Sequence, residues 1–384
     1  MDILFYGHHY WDIGPWFRKQ YFANYLAKRN HRVFYIENSV SMLKWRPGKK
    51  NRFLKSTVSN PEKNLYVITP SAYFPFPNSY YMRHLFNLKL LWDIRRIFRR
   101  YGVKEYVLWF NLLNFSTVIS RFKGRKIIFD MSDDIPLFFQ LKGMDRLHRT
   151  QMRLLKKAYA NASIPVVTAK KIKEKYQKYA ENEIMVIPNG HNFTSFSKSS
   201  SPVPDDMQNI SGPIIGFLGT LFIFTDDRLL EHIISQRPDY QYVFVGKIQK
   251  DFPIEKISKY PNVHLLGEKK KEEVGAYLDA MDICINPFKK HEVNDSVSPL
   301  KVYEYLAFRK PVVSTYMYSL QQEKISRHIF FCETAEAFLT KLDEIVQKND
   351  FVNPIPEEEL LENSWESLFE RLIRGMKDQY EFEL

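Results

Sequence analysis

Short apolar runs alternate with helix-patterned segments along the whole of this chain, and that alternation leaves few architectures open to it. Asp2–Tyr6, Arg32–Glu37, Leu65–Thr69, Tyr106–Phe110, Lys126–Asp130, Ile164–Thr168 and Ile184–Ile187 read as strands. Between them the patterning predicts helices over Trp16–Arg29, Leu141–Ala160 and Lys170–Tyr179. A Ser-, Pro- and Asn-rich run from Asn192 to Ser211 interrupts the series, as a linker does. The alternation then resumes with GPIIGFLGT, a strand entering a tight turn at Gly219. Helix Asp226–Ser235, strands Tyr242–Gly246 and Val263–Leu266, helix Lys271–Ala280, strand Ile283–Pro287, a helix from Pro299 and strand Pro311–Thr315 follow. Strand–helix alternation of this kind builds parallel sheets. With 384 residues the chain is too long for one ordinary core. The expected fold is α/β, two doubly wound Rossmann-like domains facing a cleft, over residues 1–195 and 210–360. In such sheets ligands bind beyond the carboxyl ends of the strands.

The segment Asn294–Thr315, NDSVSPLKVYEYLAFRKPVVST, carries the sharpest chemistry. Ser298 as N-cap and Pro299 at the first helical position are start signals. The helix they open would present its positive end to a phosphate. Lys301 in the first turn adds a full charge, and Glu304, three residues on, shares its face and could accept bonds from two ribose hydroxyls. An ordinary amphipathic helix with a solvated lysine–glutamate pair is the competing reading.

SPLKVYEYLAFRKPVVST resembles the sugar-nucleotide signature of GT-B glycosyltransferases. The version with a lysine here is similar to bacterial cell-surface polysaccharide transferases of the teichuronic acid and xanthan glucuronosyltransferase types, in which that lysine meets the diphosphate. The acid that the better known E-x7-E form places eight residues before Glu304 is replaced by Ser296. The resemblance implies a nucleotide-sugar donor, with Glu304 on the ribose and Lys301 on the diphosphate. It implies also that Gly267 and Glu268 line the base pocket, that the IPNG turn closes the first domain, and that the C-terminal helix 364–384 crosses back onto it. The Ser132-Asp133 pair is similar to a strand-end motif of the glucuronosyltransferase-like proteins.

Other strand-end loops add candidates. Gly219 and Thr220 follow the first strand of the second half, where a glycine turn lets backbone N–H groups approach a phosphate. Lys247 could meet the diphosphate or simply be solvated. FDMSDDIP ends a strand with Asp130, Asp133 and Asp134, and clustered acids raise the pKa of at least one of them. Asp133 is the expected general base toward an acceptor hydroxyl, with Asp130 holding the loop; capping of a helix and turn by all three is the alternative. Asp226-Asp227 reads as a helix start. His8, His9 and Asp12 could orient acceptor or diphosphate, but adjacent histidines rarely share one ion, and no metal or other cofactor is expected. Arg18 could bind an acceptor phosphate or be a surface charge.

Charge is divided unevenly. Residues 1–200 hold 35 Lys and Arg against 13 Asp and Glu, and the remainder 21 against 31. Such a split points to a polyanion or an anionic leaflet facing the first half. Within residues 73–103, Leu85, Leu88, Leu91, Trp92, Ile94, Ile97 and Phe98 recur near the helical period beside Arg95, Arg96, Arg99 and Arg100. Together with the aromatic stretch before them they describe an interfacial helix, a core helix with a basic outer face being the alternative. No nucleic-acid-binding motif is present, so nucleic acid is not the expected partner. Two cysteines, Cys284 and Cys332, are too few for a disulfide framework. No signal peptide or spanning segment is visible. The expectation is a cytoplasmic, membrane-peripheral glycosyltransferase moving a sugar from a nucleotide diphosphate donor to a lipid-linked or cell-surface glycan. The alternatives are a GT-B sugar-nucleotide epimerase and a basic polyanion-binding protein that is not an enzyme.

Overall fold

Runs such as Val107–Phe110 (VLWF) and Ile127–Met131 (IIFDM) are buried along their whole length, as strands are in a parallel sheet covered on both faces. The computed structural model describes residues 1–13, 16–41, 43, 55–72, 79–192, 202–270 and 272–384. Two units emerge, Met1–Pro188 with Phe369–Leu384, and Asn189–Leu368. The division falls between Pro188 and Asn189, ahead of the Ser- and Pro-rich run. Met207, near the end of that run, is buried in the core of the second unit.

The first unit is built on eight strands: β1 (Asp2–Tyr6), β2 (Arg32–Ile36), β3 (Thr57–Glu62), β4 (Leu65–Thr69), β5 (Val107–Phe110), β6 (Ile127–Met131), β7 (Ile164–Val167) and β8 (Met185–Val186). Their order is β3-β4-β2-β1-β5-β6-β7-β8, and all pairings are parallel except β3 with β4. The sequence TVSNPE of β3 is polar and carries a proline, which suits an edge and hides the strand from an apolar-run reading. The strand order reverses between β1 and β5.

Helix α1 spans Arg18–Lys28, and α2 spans Tyr80–Tyr101, closed by Gly102 in the left-handed region at φ +66°. The helix expected over 141–160 is α4 (Asp145–Tyr159), starting four residues later than expected, and a short helix not expected, α3 (Ile135–Leu141), precedes it. Asp134 caps α3 by accepting from Leu137 N at 3.0 Å, and Gly143 turns the chain at φ +65° before α4 starts. A helix α5 follows at Lys170–Tyr176. Of the C-terminal helix Trp365–Tyr380, Phe369 packs on α1, with ring centroids 5.5 Å from both Phe22 and Tyr25.

The second unit carries β9 (Ile214–Leu218), β10 (Gln241–Val245), β11 (Val263–Gly267), β12 (Ile283–Asn286), β13 (Val312–Thr315) and β14 (Ile329–Cys332). They form one parallel sheet in the order β11-β10-β9-β12-β13-β14. Here the order reverses between β9 and β12, the place where open α/β sheets take ligands. Both cysteines are free and buried, and burial pushes their thiols up, to about 12 at Cys284 and about 11 at Cys332.

Arg18 is neither a surface charge nor open to an acceptor phosphate. It is 2% exposed, with Nε 3.1 and 3.0 Å from the two oxygens of Asp130, itself fully buried. One guanidinium nitrogen donates to the carbonyls of Ile187 and Pro188 at 2.8 and 3.0 Å. A single side chain thus joins the start of α1, the end of β6 and the segment after β8. Removing one member leaves a buried charge unmatched, at a cost of about 3–5 kcal/mol. Denaturant unfolding of D130N and R18M should each show a loss of this order, while the double variant loses clearly less than the sum. Additive losses would show that the pair is not coupled.

Candidate functional site

At the β9/β12 reversal the second unit gathers several expected residues. Gly219 turns the chain after β9 at φ +128°, and a Cβ built there would lie 3.3 Å from Lys301 Cε and 3.4 Å from its Nζ. The Lys301 ammonium stands over the Phe217 ring at 3.9 Å and the Phe288 ring at 4.6 Å. Although the residue keeps some surface, protein atoms surround its head, and this burial presses its pKa from 10.5 down to about 7, against the upward pull of Glu304. A desolvated ammonium with aromatic faces beside it gains most from an arriving anion.

The turns beside it are tied backbone to backbone. Gly219 N donates to Val245 O at 2.8 Å, and Gly246 N to Gly267 O at 2.8 Å. Gly246, at φ +138°, lets the Gly219 carbonyl approach so closely that a Cβ would stand 2.2 Å from its oxygen. Gly267, at φ +70°, is exposed. Thr220 is half-buried beside Gly219. Lys247 is exposed, and its carbonyl accepts from Leu221 N at 2.9 Å. Helix Leu300–Ala307 is held against β9 by Tyr305, whose hydroxyl accepts from Leu218 N at 2.8 Å.

Ser298 is not the N-cap. The helix starts at Leu300 with Pro299 in the cap position. The Ser298 hydroxyl instead accepts from Asn189 N at 3.0 Å and contacts the Tyr303 hydroxyl at 3.2 Å, while Asn189 Nδ2 donates to the Ser298 carbonyl at 2.7 Å. Asn189, where the second unit begins, is therefore stitched to the signature loop within that unit. Glu304 is half-buried on the same helix face as Lys301. Asp226 accepts from Arg228 N and Leu229 N as the cap of helix Asp227–Gln236, as its position suggested.

In the first unit the three acids after β6 have separate fates. Asp130 is held by Arg18, and its carbonyl accepts from Asn111 Nδ2 at 2.9 Å. Asp134 caps α3 and accepts from Tyr176 Oη at 2.5 Å and Lys175 Nζ at 3.0 Å. The Asp133 carboxylate makes no hydrogen bond among the described residues and keeps solvent-exposed surface. Crowding by protein atoms nonetheless raises its pKa above the ordinary carboxylate range; Lys19 pulls it down and Asp134 adds to the rise. Capping by all three is thereby excluded.

Lys19, one residue after Arg18, is 7% exposed. Sequence reasoning missed it, since a lysine in the first turn of a helix reads as solvated. His8 and His9 follow β1 with ring centroids 4.4 Å apart, His8 in the left-handed region at φ +56°. Burial and Lys19 keep both imidazoles neutral, with the His9 pKa down to about 4. Among the described residues no group of three or more His, Cys, Asp or Glu is placed to hold a metal ion, and no helix is long and apolar enough to cross a membrane.

The apolar face expected on residues 73–103 is largely core. Leu91, Ile94 and Phe98 are buried with Phe86 and Leu90, and Leu88 and Ile97 pack partly against them. Residues 73–78, the aromatic stretch, lie outside the described residues. Two members of the expected face, Leu85 and Trp92, instead point outward together with Tyr81, at 48, 54 and 78% exposure. These residues are four and seven apart and so share one side of α2. Arg95, Arg96 and Arg99 continue that side, all exposed, with the Arg96 guanidinium 4.7 Å over the Trp92 ring. The outer face of α4 adds exposed Arg146, Arg149, Arg153 and Lys156, and Arg153 reaches the Tyr80 ring at 4.8 Å.

Comparison with known proteins adds independent findings. Residues 212–348 match the family model described as glycosyl transferases group 1. A Bacillus subtilis (strain 168) protein, TuaH, named provisionally as a teichuronic acid biosynthesis glycosyltransferase, is 26% identical over 218 residues, 54% of this chain. The match spans about half of that relative's length, 55%. Among solved structures, sucrose-phosphate synthase from Thermosynechococcus elongatus aligns with a TM-score of 0.73 at 16% identity, over 99% of both chains. The trehalose-6-phosphate protein from E. coli bound with UDP-2-fluoro glucose aligns at 0.71 and 11%, over 98% of this chain and 99% of that one. The catalytic domain of starch synthase IV from Arabidopsis thaliana, bound to ADP and acarbose, aligns at 0.65 and 12%, over 99% of both. This chain therefore has the GT-B fold, and its residues 212–348 are similar to glycosyl transferases group 1.

Proposed function

We propose that the protein is a glycosyltransferase that moves a sugar from a nucleoside diphosphate donor to a lipid-linked or cell-surface glycan acceptor. The observation that carries this reading is the Lys301 ammonium, desolvated over two aromatic rings and lying against the Gly219 turn. In this reading Lys301 meets the diphosphate, its positive charge stabilising the anion, and Glu304 holds the ribose. The donor class is supported by the nucleotides bound in the E. coli and Arabidopsis neighbours. The acceptor class rests on the name of the Bacillus relative.

Asp133 is the proposed catalytic base. It takes the proton of the acceptor hydroxyl as that oxygen attacks the anomeric carbon. The bond from that carbon to the diphosphate breaks, and the nucleoside diphosphate leaves with the electron pair. Of the three acids after β6, Asp133 has a carboxylate open to such a partner, and its raised pKa suits proton transfer near neutral pH. The α2 stripe of Tyr81, Leu85 and Trp92 with its arginines is proposed to rest on an anionic cytoplasmic membrane face, its charge complementary to the lipid headgroups.

Binding of nucleoside diphosphates, measured by calorimetry, should weaken roughly tenfold to a hundredfold in K301A. In the wild type it should also weaken as pH rises through about 7, because the ammonium is present below that pKa and lost above it. K301R should abolish the pH dependence; a wild-type affinity flat from about pH 6 to about pH 9 would remove Lys301 from the diphosphate. D133N should keep nucleotide affinity while losing transfer by about a hundredfold or more, and unchanged turnover would discard Asp133 as base. Flotation with anionic vesicles should fall roughly fivefold for each of Arg96 and Arg99 replaced by alanine, and fall further in W92A; binding that ignores all three changes would refute the membrane surface.

A further inference from the structure

We propose that Lys19 is a positioning residue for the base: buried in the first turn of α1 beside the Arg18–Asp130 clamp, its ammonium is, among the described residues around the end of β6, the cation left without a bonded acid, and it holds the Asp133 carboxylate in the ionised, proton-accepting form. The proposal rests on the reading of Asp133 as base, and the experiment below separates the two.

The argument is a pairing of charges around the end of β6. From α1, Arg18 faces Asp130 in a two-oxygen contact, so that pair adds no net charge. From α5, Lys175 and the Tyr176 hydroxyl both bond Asp134, which cancels the second acid. From the loop after β1, His8 and His9 are kept neutral. From α4, Tyr159 is buried and its hydroxyl is held in the protonated form, its pKa raised by burial and by Asp134 and Asp130. Of these groups, Lys19 and Asp133 make no hydrogen bond or ion pair among the described residues. The Lys19 charge lowers the Asp133 pKa, and Asp133 in turn raises that of Lys19.

Burial of this lysine is otherwise hard to account for. Lys19 is 7% exposed and makes no hydrogen bond or ion pair among the described residues. Desolvation lowers its pKa. A buried ammonium without a hydrogen-bonded partner costs several kcal/mol, and an apolar side chain of similar length would fill the space at no such cost. Its place is fixed by its neighbour, because the Arg18 clamp sets the first turn of α1 against the end of β6. Lys19 is thereby held beside the loop that carries Asp133 without having to bond it, and the carboxylate stays open to a hydroxyl.

The test uses the full chain without substrate. Carbon-13 NMR of the protein labelled at aspartate side-chain carboxyls, with D133N identifying the signal, follows the Asp133 titration in wild type, K19M and K19R. The Asp133 midpoint should move up in K19M and return toward the wild-type value in K19R. As a reciprocal arm that spares α1, the Lys19 side chain, labelled at Cε, should titrate at lower pH in D133N than in wild type. An Asp133 midpoint unmoved in K19M, or a Lys19 midpoint unmoved in D133N, overturns the proposal. Should K19M fail to fold, the D133N arm decides alone. Full transfer activity in D133N would instead refute Asp133 as base while leaving the measured coupling intact.

Discussion

Strands buried on both faces are the constraint from which the rest of this molecule follows. A run such as VLWF or IIFDM can be satisfied only inside a parallel sheet, and parallel neighbours require helical crossovers. Where the strand order reverses, at β1/β5 in one unit and β9/β12 in the other, crossovers depart to opposite faces and leave the strand ends open. Most candidates with a chemical role stand just beyond a strand end near such a reversal, Gly267 at the end of edge strand β11 and Lys19 on α1 excepted. Gly219 follows β9, the signature helix follows β12, His8 and His9 follow β1, and Asp133 follows β6.

Both groups of candidates centre on a lysine kept from water. Lys301 lies against two aromatic rings, and Lys19 lies among neutral histidines and paired acids. In each case the protein bears the desolvation cost in advance, so that an anion, whether a ligand's or Asp133's own, gains from the charge. Glycines shape the turns around Lys301 in the second unit. Gly246 admits the Gly219 carbonyl, and that close approach brings the β9 and β10 turns together beside Lys301. Arg18 does the corresponding work in the first unit by joining three segments through one guanidinium.

Much of this was legible in the residues. Apolar runs located most strands to within a residue or two, because burial on both faces writes itself as uninterrupted hydrophobicity. β3 escaped because an edge strand with a proline and polar side chains carries no such run. The start of α3 lay in Asp134, its cap, and the break before α4 in Gly143, a left-handed turn inside an otherwise helical pattern. Lys301 beside Gly219 was readable from motif and strand position. Ser298 was misread as a cap because its true partner, Asn189, is 109 residues away in sequence. The same holds for Arg18, whose acid is 112 residues distant, and for Lys19, whose burial depends on that clamp. The core face and the outer face of α2 share one apolar-rich sequence, and packing alone decided which residues each contains.

The central claim is that the second unit holds a nucleoside diphosphate at the Gly219 turn. Thermal unfolding of the full chain in the presence of UDP, GDP, ADP and CDP in turn, at matched ionic strength, tests it most directly. One of them should raise the transition of the second unit in a saturable way, with the monophosphate of the same base raising it less. Equal response to all four and to inorganic pyrophosphate, or no response to any, would contradict the account.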